Sequence, residues 1–195
     1  MKICVFGAAS NQIEKHYIDA VEGLCESLGS RGHDLVFGAG ANGLMGAAAR
    51  GFHKGGGKVI GVVPKFFRTD YVEDLYEKCD KFIYTDDMAQ RKSTMEDLAE
   101  AYIIVPGGIG TFDEFFEVLT LKQLNRHNKT IAMYDVKDYY NSIETLLDNA
   151  IKEHFLHENC LELFKIFEEN ETKELIDYVE ADPHKTIPVN EVKYG

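Results

Sequence analysis

The 195-residue chain is 45% hydrophobic and carries a formal net charge of -12. Its size suits one domain with a sizeable core and its composition excludes a disordered chain. The acidic balance argues against a nucleic-acid or anionic-membrane surface, since both need clustered Lys and Arg, and leaves room for a small anion held by a few local donors.

In chain order, "KICVFG" reads as a first strand, and about Gln12 to Arg31 as a helix with Ile13, Tyr17, Val21, Leu24 and Leu28 near helical spacing. "DLVFG" is a second strand, followed by a helix from about Leu44 to His53, and "KVIGVVP" is a third strand. "KFIYT" and a helix from about Asp87 to Glu100 follow, then "AYIIVP" with a helix from Thr111 to about Asn125. "KTIAMYD" is a sixth strand, with a helix from about Asp138 to Phe155, and "LFKIF" is a candidate seventh before a last helix near Thr172 to Glu180. The alternation implies βαβ units, and the near-continuous apolar strands imply a parallel sheet covered on both faces: an α/β, doubly wound, three-layer architecture. Residues 1–181 read as one domain and 182–195 as a loosely held C-terminal tail.

No run of about 18 apolar residues is present, so no membrane span is expected. The apolar run in "MKICVFGAAS" is too short for a signal peptide. Cys4, Cys25, Cys79 and Cys160 are scattered without a C-x-x-C pair or zinc spacing. They read as reduced thiols of a cytoplasmic protein, with no metal site.

Folds of this class bind ligands beyond the carboxyl ends of their strands, and glycine turns follow strands one, two and five. In "FGAGANGLMG", Gly38, Gly40 and Gly43 match G-x-G-x-x-G. The turn follows the second strand rather than the first, and no carboxylate ends the third, so the ribose contact of a dinucleotide site is missing. The motif reads better as a backbone lining for some nucleotide than as a nicotinamide site; an oxidoreductase is the weakest of three functional readings. Ser10, in the turn after the first strand, either approaches a ligand or caps the next helix.

The stretch "PGGIGTFDEFFEV" carries most of the argument. It is not a Walker loop, because no Lys precedes Thr111. Its glycines still let backbone N–H groups converge at a helix N-terminus, a suitable seat for a phosphate monoester. Thr111 to Glu114 also spells a capping box, in which Glu114 only closes the helix start. Glu117 lies one turn further on the same face, and capping requires only one carboxylate. In "TDDMAQRKSTMEDL", Asp86 or Asp87 caps a helix that brings Arg91 near the Gly108–Glu114 turn, where it can pair with a phosphate or a carboxylate.

"MAQRKSTM" followed by "PGGIGTFDE" resembles the Lonely Guy family, the cytokinin riboside 5′-monophosphate phosphoribohydrolases. "GANGLMG", "GVVP" and "LTLKQLNRHNKTIAMYDVKDYY" extend the resemblance from about Lys2 to Glu158. It implies a Rossmann-like fold, a homodimer or larger oligomer, no cofactor, and hydrolysis of a nucleoside 5′-monophosphate such as AMP, or an N6-modified relative, to free base and ribose 5-phosphate. It implies Arg91 and Glu114 as the catalytic pair. Lys92, Gly107, Gly108, Ile109, Gly110, Thr111, Asp113 and Thr120 fall at substrate-binding positions; Glu117, Ser10, Gly40 and Gly43 complete the expected site. The chain departs from the family pattern at Ala8, Ala9, "FGAG", Ala89 and Leu121, all around the core of the site, which bears on the preferred base. Relatives also carry a lysine decarboxylase label, but no Schiff-base Lys with partners for a pyridoxal phosphate can be assigned here. The rival from another class is a nucleotide-binding or carrier protein without catalysis, resembling the molybdenum cofactor carriers.

Overall fold

The apolar runs become strands buried on both faces. In a computed structural model, which describes residues 1–69, 74–181 and 186–193, the elements are β1 (Lys2–Phe6), α1 (Lys15–Ser30), β2 (Asp34–Phe37), α2 (Gly43–Lys54), β3 (Val59–Pro64), α3 (Phe66–Thr69), β4 (Lys81–Thr85), α4 (Met88–Leu98), β5 (Ala101–Ile104), α5 (Ile109–Gln123), β6 (Thr130–Asp135), α6 (Asn141–Lys152), β7 (Lys165–Glu168), α7 (Thr172–Glu180) and α8 (Val189–Val192). All strand pairs are parallel, in the order β4-β3-β2-β1-β5-β6-β7. β5 and β6 are buried along their whole length, whereas the edge strands β4 and β7 are partly exposed.

Side chains of one strand alternate between two cores. Ile3 and Val5 of β1 face a core shared with α1, α2 and α7. Cys4 and Phe6 face the other core, which α4, α5 and α6 cover with Met95, Phe115, Val118 and Ile143. This is the three-layer, doubly wound fold expected, and its topology locates the site. From β1 the chain builds outward through β2, β3 and β4, then returns to the other side of β1 with β5. The strand order reverses between β1 and β5, so the turns after these two strands border the crevice.

Several expectations need correcting. α1 starts at Lys15, with Glu14 at its cap position, so Ser10 is not the helix cap; its Oγ instead accepts a hydrogen bond from the Gln12 N–H at 3.1 Å. The one-turn helix α3 has no signature in "KFFRT". Of the expected tail, residues 182–185 and 194–195 lie outside the described residues, but Val192 is buried with Cys160 and Leu163. The Val192 carbonyl accepts from Gln123 Nε2 at 2.9 Å, which ties this end to α5. Among the described residues no helix is long and apolar enough to cross a membrane.

Candidate active site

α5 opens two residues earlier than its sequence suggests. Gly108 is the cap position and Ile109 the first helical residue. The first i→i−4 bond of the helix is donated by Phe112 N–H to the Gly108 carbonyl at 3.0 Å. The amides of Gly108 to Thr111 therefore have no acceptor within the helix. Gly108, Ile109 and Gly110 are exposed, so these donors open onto solvent at the switch point.

The register of α5 also decides what Glu114 does. Thr111 sits inside the helix, with no side-chain cap bond at its start, so the capping box is not formed. Glu114 is in the second turn, and its Oε1 accepts from Arg91 Nη1 at 3.2 Å. Arg91 is in the first turns of α4, which Asp87 starts by accepting the Gln90 N–H at 2.8 Å. The Arg91 side chain is 9% exposed and that of Glu114 12%. Arg91 Nε donates to the Val62 carbonyl at 3.4 Å, and its guanidinium lies 5.9 Å from the centre of the Phe67 ring. A Cβ on Gly38 would sit 1.7 Å from Arg91 Nη2, so the glycine after β2 makes the space the arginine occupies.

Burial pushes the Glu114 carboxyl up to about 7, against the opposing pull of Arg91. A carboxyl poised near neutrality is available in both protonation states, which suits proton transfer. The pair lies in a cleft of about 400 Å³ lined by Gly7, Ala8, Ser10, Gly38, Met45, Phe67, Arg91, Gly108, Gly110, Thr111 and Glu114, among others. The donors of α5 and the carboxylate thus face one space.

The structure separates the remaining expected residues into three groups. Ser10, Gly108, Gly110 and Thr111 line the cleft with the pair. Gly107 and Ile109 flank it: the buried Gly107 accepts at its carbonyl from Tyr139 Oη at 2.5 Å, and Ile109 is 86% exposed. Lys92, Asp113, Glu117, Thr120, Gly40 and Gly43 are not among the lining residues. Lys92 Nζ pairs with Asp113 at 3.0 Å and with Glu117 at 2.5 Å; the hydrogen bond to Glu117, reinforced by Asp113, holds the ammonium above its usual range. Glu117 is therefore engaged with Lys92 and is not among the residues lining the cleft. Thr120 is exposed further along α5. Gly40 bridges Leu75.

The G-x-G-x-x-G turn is explained by contacts within the chain. The N–H groups of Leu44 and Met45, at the start of α2, both donate to the Ala8 carbonyl, at 2.8 and 3.2 Å. Gly43 has φ +55°, and a Cβ there would meet Ala8 O, Ser10 O and Ser10 N at 2.7–2.9 Å. The start of α2 is thus spent on the β1 turn, and a phosphate has no seat there. Sequence reasoning did not place Gly7, Gly38, Met45 or Phe67 among the site residues. For Gly38 the signal was present, in the same motif and two residues ahead of Gly40; for Met45 and Phe67 there was none.

An ion pair of arginine and carboxyl thus stands beside an open helix start at the switch point of a doubly wound sheet, which defines the class as a Rossmann-like fold with a candidate site at its strand ends. The comparisons narrow this class. Residues 45–179 match the family described as "Possible lysine decarboxylase". A probable cytokinin riboside 5′-monophosphate phosphoribohydrolase of Oryza sativa subsp. japonica is 40% identical over 155 residues, 80% of this chain and 72% of its own length. A cytokinin riboside 5′-monophosphate phosphoribohydrolase of Arabidopsis thaliana is 37% identical over 179 residues, 92% and 81% of the two chains. The chain belongs to this family, that of the Lonely Guy phosphoribohydrolases. Among solved structures, a molybdenum cofactor binding protein of Rippkaea orientalis aligns with TM-score 0.69 at 19% identity, covering 92% and 97% of the two chains. The molybdenum cofactor carrier protein of Chlamydomonas reinhardtii aligns with TM-score 0.64, also at 19% identity, covering 90% and 98%. At that identity the likeness establishes the fold alone.

Proposed function

We propose that this chain hydrolyses the N-glycosidic bond of a nucleoside 5′-monophosphate, AMP or an N6-modified cytokinin riboside monophosphate, to free base and ribose 5-phosphate. Its relatives carry this activity in their names. The observation that carries the reading is the buried Arg91–Glu114 pair, sharing one cleft with the open start of α5.

The 5′-phosphate sits on the amides of Gly108 to Thr111, where the helix dipole adds to the hydrogen bonds. The ribose then faces Glu114. As the base departs, positive charge develops on the sugar, as in other glycoside cleavages. The ionised Glu114 stabilises that charge or takes a proton from the attacking water. Arg91 holds the carboxylate in place. Ser10, with Gly108, Gly110 and Thr111, contacts substrate, while Lys92, Asp113 and Glu117 form a charged brace beside the site. Among the described residues the cleft lining contains no lysine for a Schiff base, which speaks against the decarboxylase description. The protein works in the cytoplasm as a homodimer or larger homo-oligomer, without a cofactor.

Incubation of the purified chain with AMP, followed by chromatography for adenine and ribose 5-phosphate, tests the reading. Equimolar release of both is expected. AMP that binds and is recovered intact would instead identify a nucleotide carrier.

A further inference from the structure

A second hollow adjoins the cleft on the other side of the switch point. It is lined by Ala8, Ile13, Glu14, Tyr17, Leu44, Pro106, Gly107, Gly108 and Tyr139, with a volume of about 270 Å³. Ala8 and Gly108 line both spaces, so the hollow meets the cleft at the wall beside the anion seat. Its floor is apolar, from Ile13, Leu44 and Pro106. Two tyrosines, Tyr17 and Tyr139, packed edge to face on each other at 6.4 Å and 83°, line it together. Tyr139 is fixed to the glycine turn through the Gly107 carbonyl. Lys137, paired with Glu14 at 2.9 Å, lies 5.7 Å from the Tyr17 ring centre.

An apolar recess with aromatic walls and few polar groups is suited to a flat ring. AMP fills only the Arg91 side, because its sugar and base lie toward Glu114. A group attached to the far side of its phosphate emerges at Gly108, where the hollow begins. We infer that the hollow is a subsite for an aromatic group esterified to the 5′-phosphate, so that the crevice accepts nucleoside 5′-phosphodiesters as well as monoesters. The inference rests on the phosphate placement proposed above. The reaction is unchanged: water delivers its oxygen to the anomeric carbon, the glycosidic bond breaks, a proton passes to the departing base, and both phosphoester bonds stay intact. The products are free base and the ribose 5-phosphodiester.

The test compares AMP, its methyl ester and its phenyl ester. The two esters carry the same charge, and only the phenyl ester places a ring in the hollow. Adenine release from the phenyl ester is expected with KM about tenfold below that of the methyl ester, the equivalent of about 1.4 kcal/mol. Tyr17→Ala should abolish that difference and leave kcat and KM for AMP within twofold; Tyr17→Leu keeps apolar bulk and serves if the alanine variant folds poorly. Equal KM values for the two esters, failure of both to bind, or a Tyr17 variant that loses AMP and phenyl ester alike would overturn the subsite. If AMP itself yields no adenine, the hydrolase reading fails separately. Calorimetric binding of the two esters then decides, with equal affinities overturning the inference.

Discussion

Glu114→Gln isolates the chemistry of one carboxyl, because the amide keeps the size of the side chain and can still accept from Arg91. With its carboxyl up at about 7, Glu114 is about half ionised at pH 7 and only about 1% ionised at pH 5, two tenfold steps lower. If the ionised form works, kcat/KM for AMP falls about 50-fold from pH 7 to pH 5. A carboxyl at the ordinary value of 4.5 would still be about three-quarters ionised at pH 5, and the profile would hardly move. The substrate phosphate titrates near pH 6 and adds its own slope, but the Gln variant retains that slope, so the difference between the two profiles belongs to Glu114. Turnover of the variant should be lower by about 10²–10⁴ at pH 8, with the limb near pH 7 gone. Adenine release measured from pH 5 to 9 checks both effects. A Gln variant as fast as its parent, or parallel profiles, would refute the assignment. Stability supplies an independent readout. The folded carboxyl is raised, so the folded chain binds more protons than the unfolded chain between pH 4.5 and about 7, and stability falls as pH rises through that window. Urea midpoints of the parent should show this fall, and those of the variant should not.

Gly38→Ala drives a methyl group into Arg91 Nη2, 1.7 Å away; because the arginine tip can move, the protein should fold while activity falls by about 10²-fold, the scale of losing one aligned charged donor, as measured by AMP hydrolysis alongside thermal melting. Ile109→Pro removes one N–H from the seat at a position where helices tolerate proline; folding should be kept, and inhibition by ribose 5-phosphate should weaken by about tenfold or more, for loss of one charge-assisted bond of about 1.5–3 kcal/mol. Lys122 is 5% exposed, and its Nζ has no hydrogen-bond acceptor among the described residues; burial lowers it from 10.5 to about 8. Lys122→Met should therefore stabilise the fold by about 3 kcal/mol at pH 7 in urea melts, while the parent should gain stability as pH rises from about 8 to 10.5, where the unfolded chain binds the extra proton.

The sheet was legible because both its faces are buried. The strands are apolar almost without interruption, and their alternation with amphipathic helices leaves little choice but a parallel, doubly wound order. Arg91 and Glu114 were legible as a pair through the motif resemblance, while spacing alone left the pair open, since Thr111 to Glu114 spells a capping box equally well. What resolved it was the helix register. Glycines at 107, 108 and 110 permit a start anywhere in the turn, and moving the cap three residues back, from Thr111 to Gly108, carries Glu114 from the capping position of the first turn into the second turn. The partners of Lys92 were not legible either. An R-K pair on an early helical turn does not reveal that one cation turns inward to Glu114 while its neighbour turns to Asp113 and Glu117. Lys122 was opaque for a related reason: at i+7 from Phe115 it falls on the buried stripe of α5, where a sequence reading expects an apolar side chain.

Two glycine turns of this chain end in helix starts that offer the same chemistry, free amides with a favourable dipole. What separates them is the neighbour each one meets. At α2 the Ala8 carbonyl lies within hydrogen-bond distance of two amides, and Gly43 lets the β1 turn approach so closely that the site is consumed internally. At α5 the amides stay open: the β1 turn meets the residues before this helix, where the Ala8 N–H donates to the Pro106 carbonyl at 3.2 Å, and offers its carbonyl to α2 instead. The dinucleotide-like motif and the open start of α5 are thus neighbours across one β1 turn. The first turn occupies the Ala8 carbonyl, and its leading glycine, Gly38, leaves the room in which Arg91 reaches Glu114. A sequence motif that mimics cofactor binding here builds the wall of a different site.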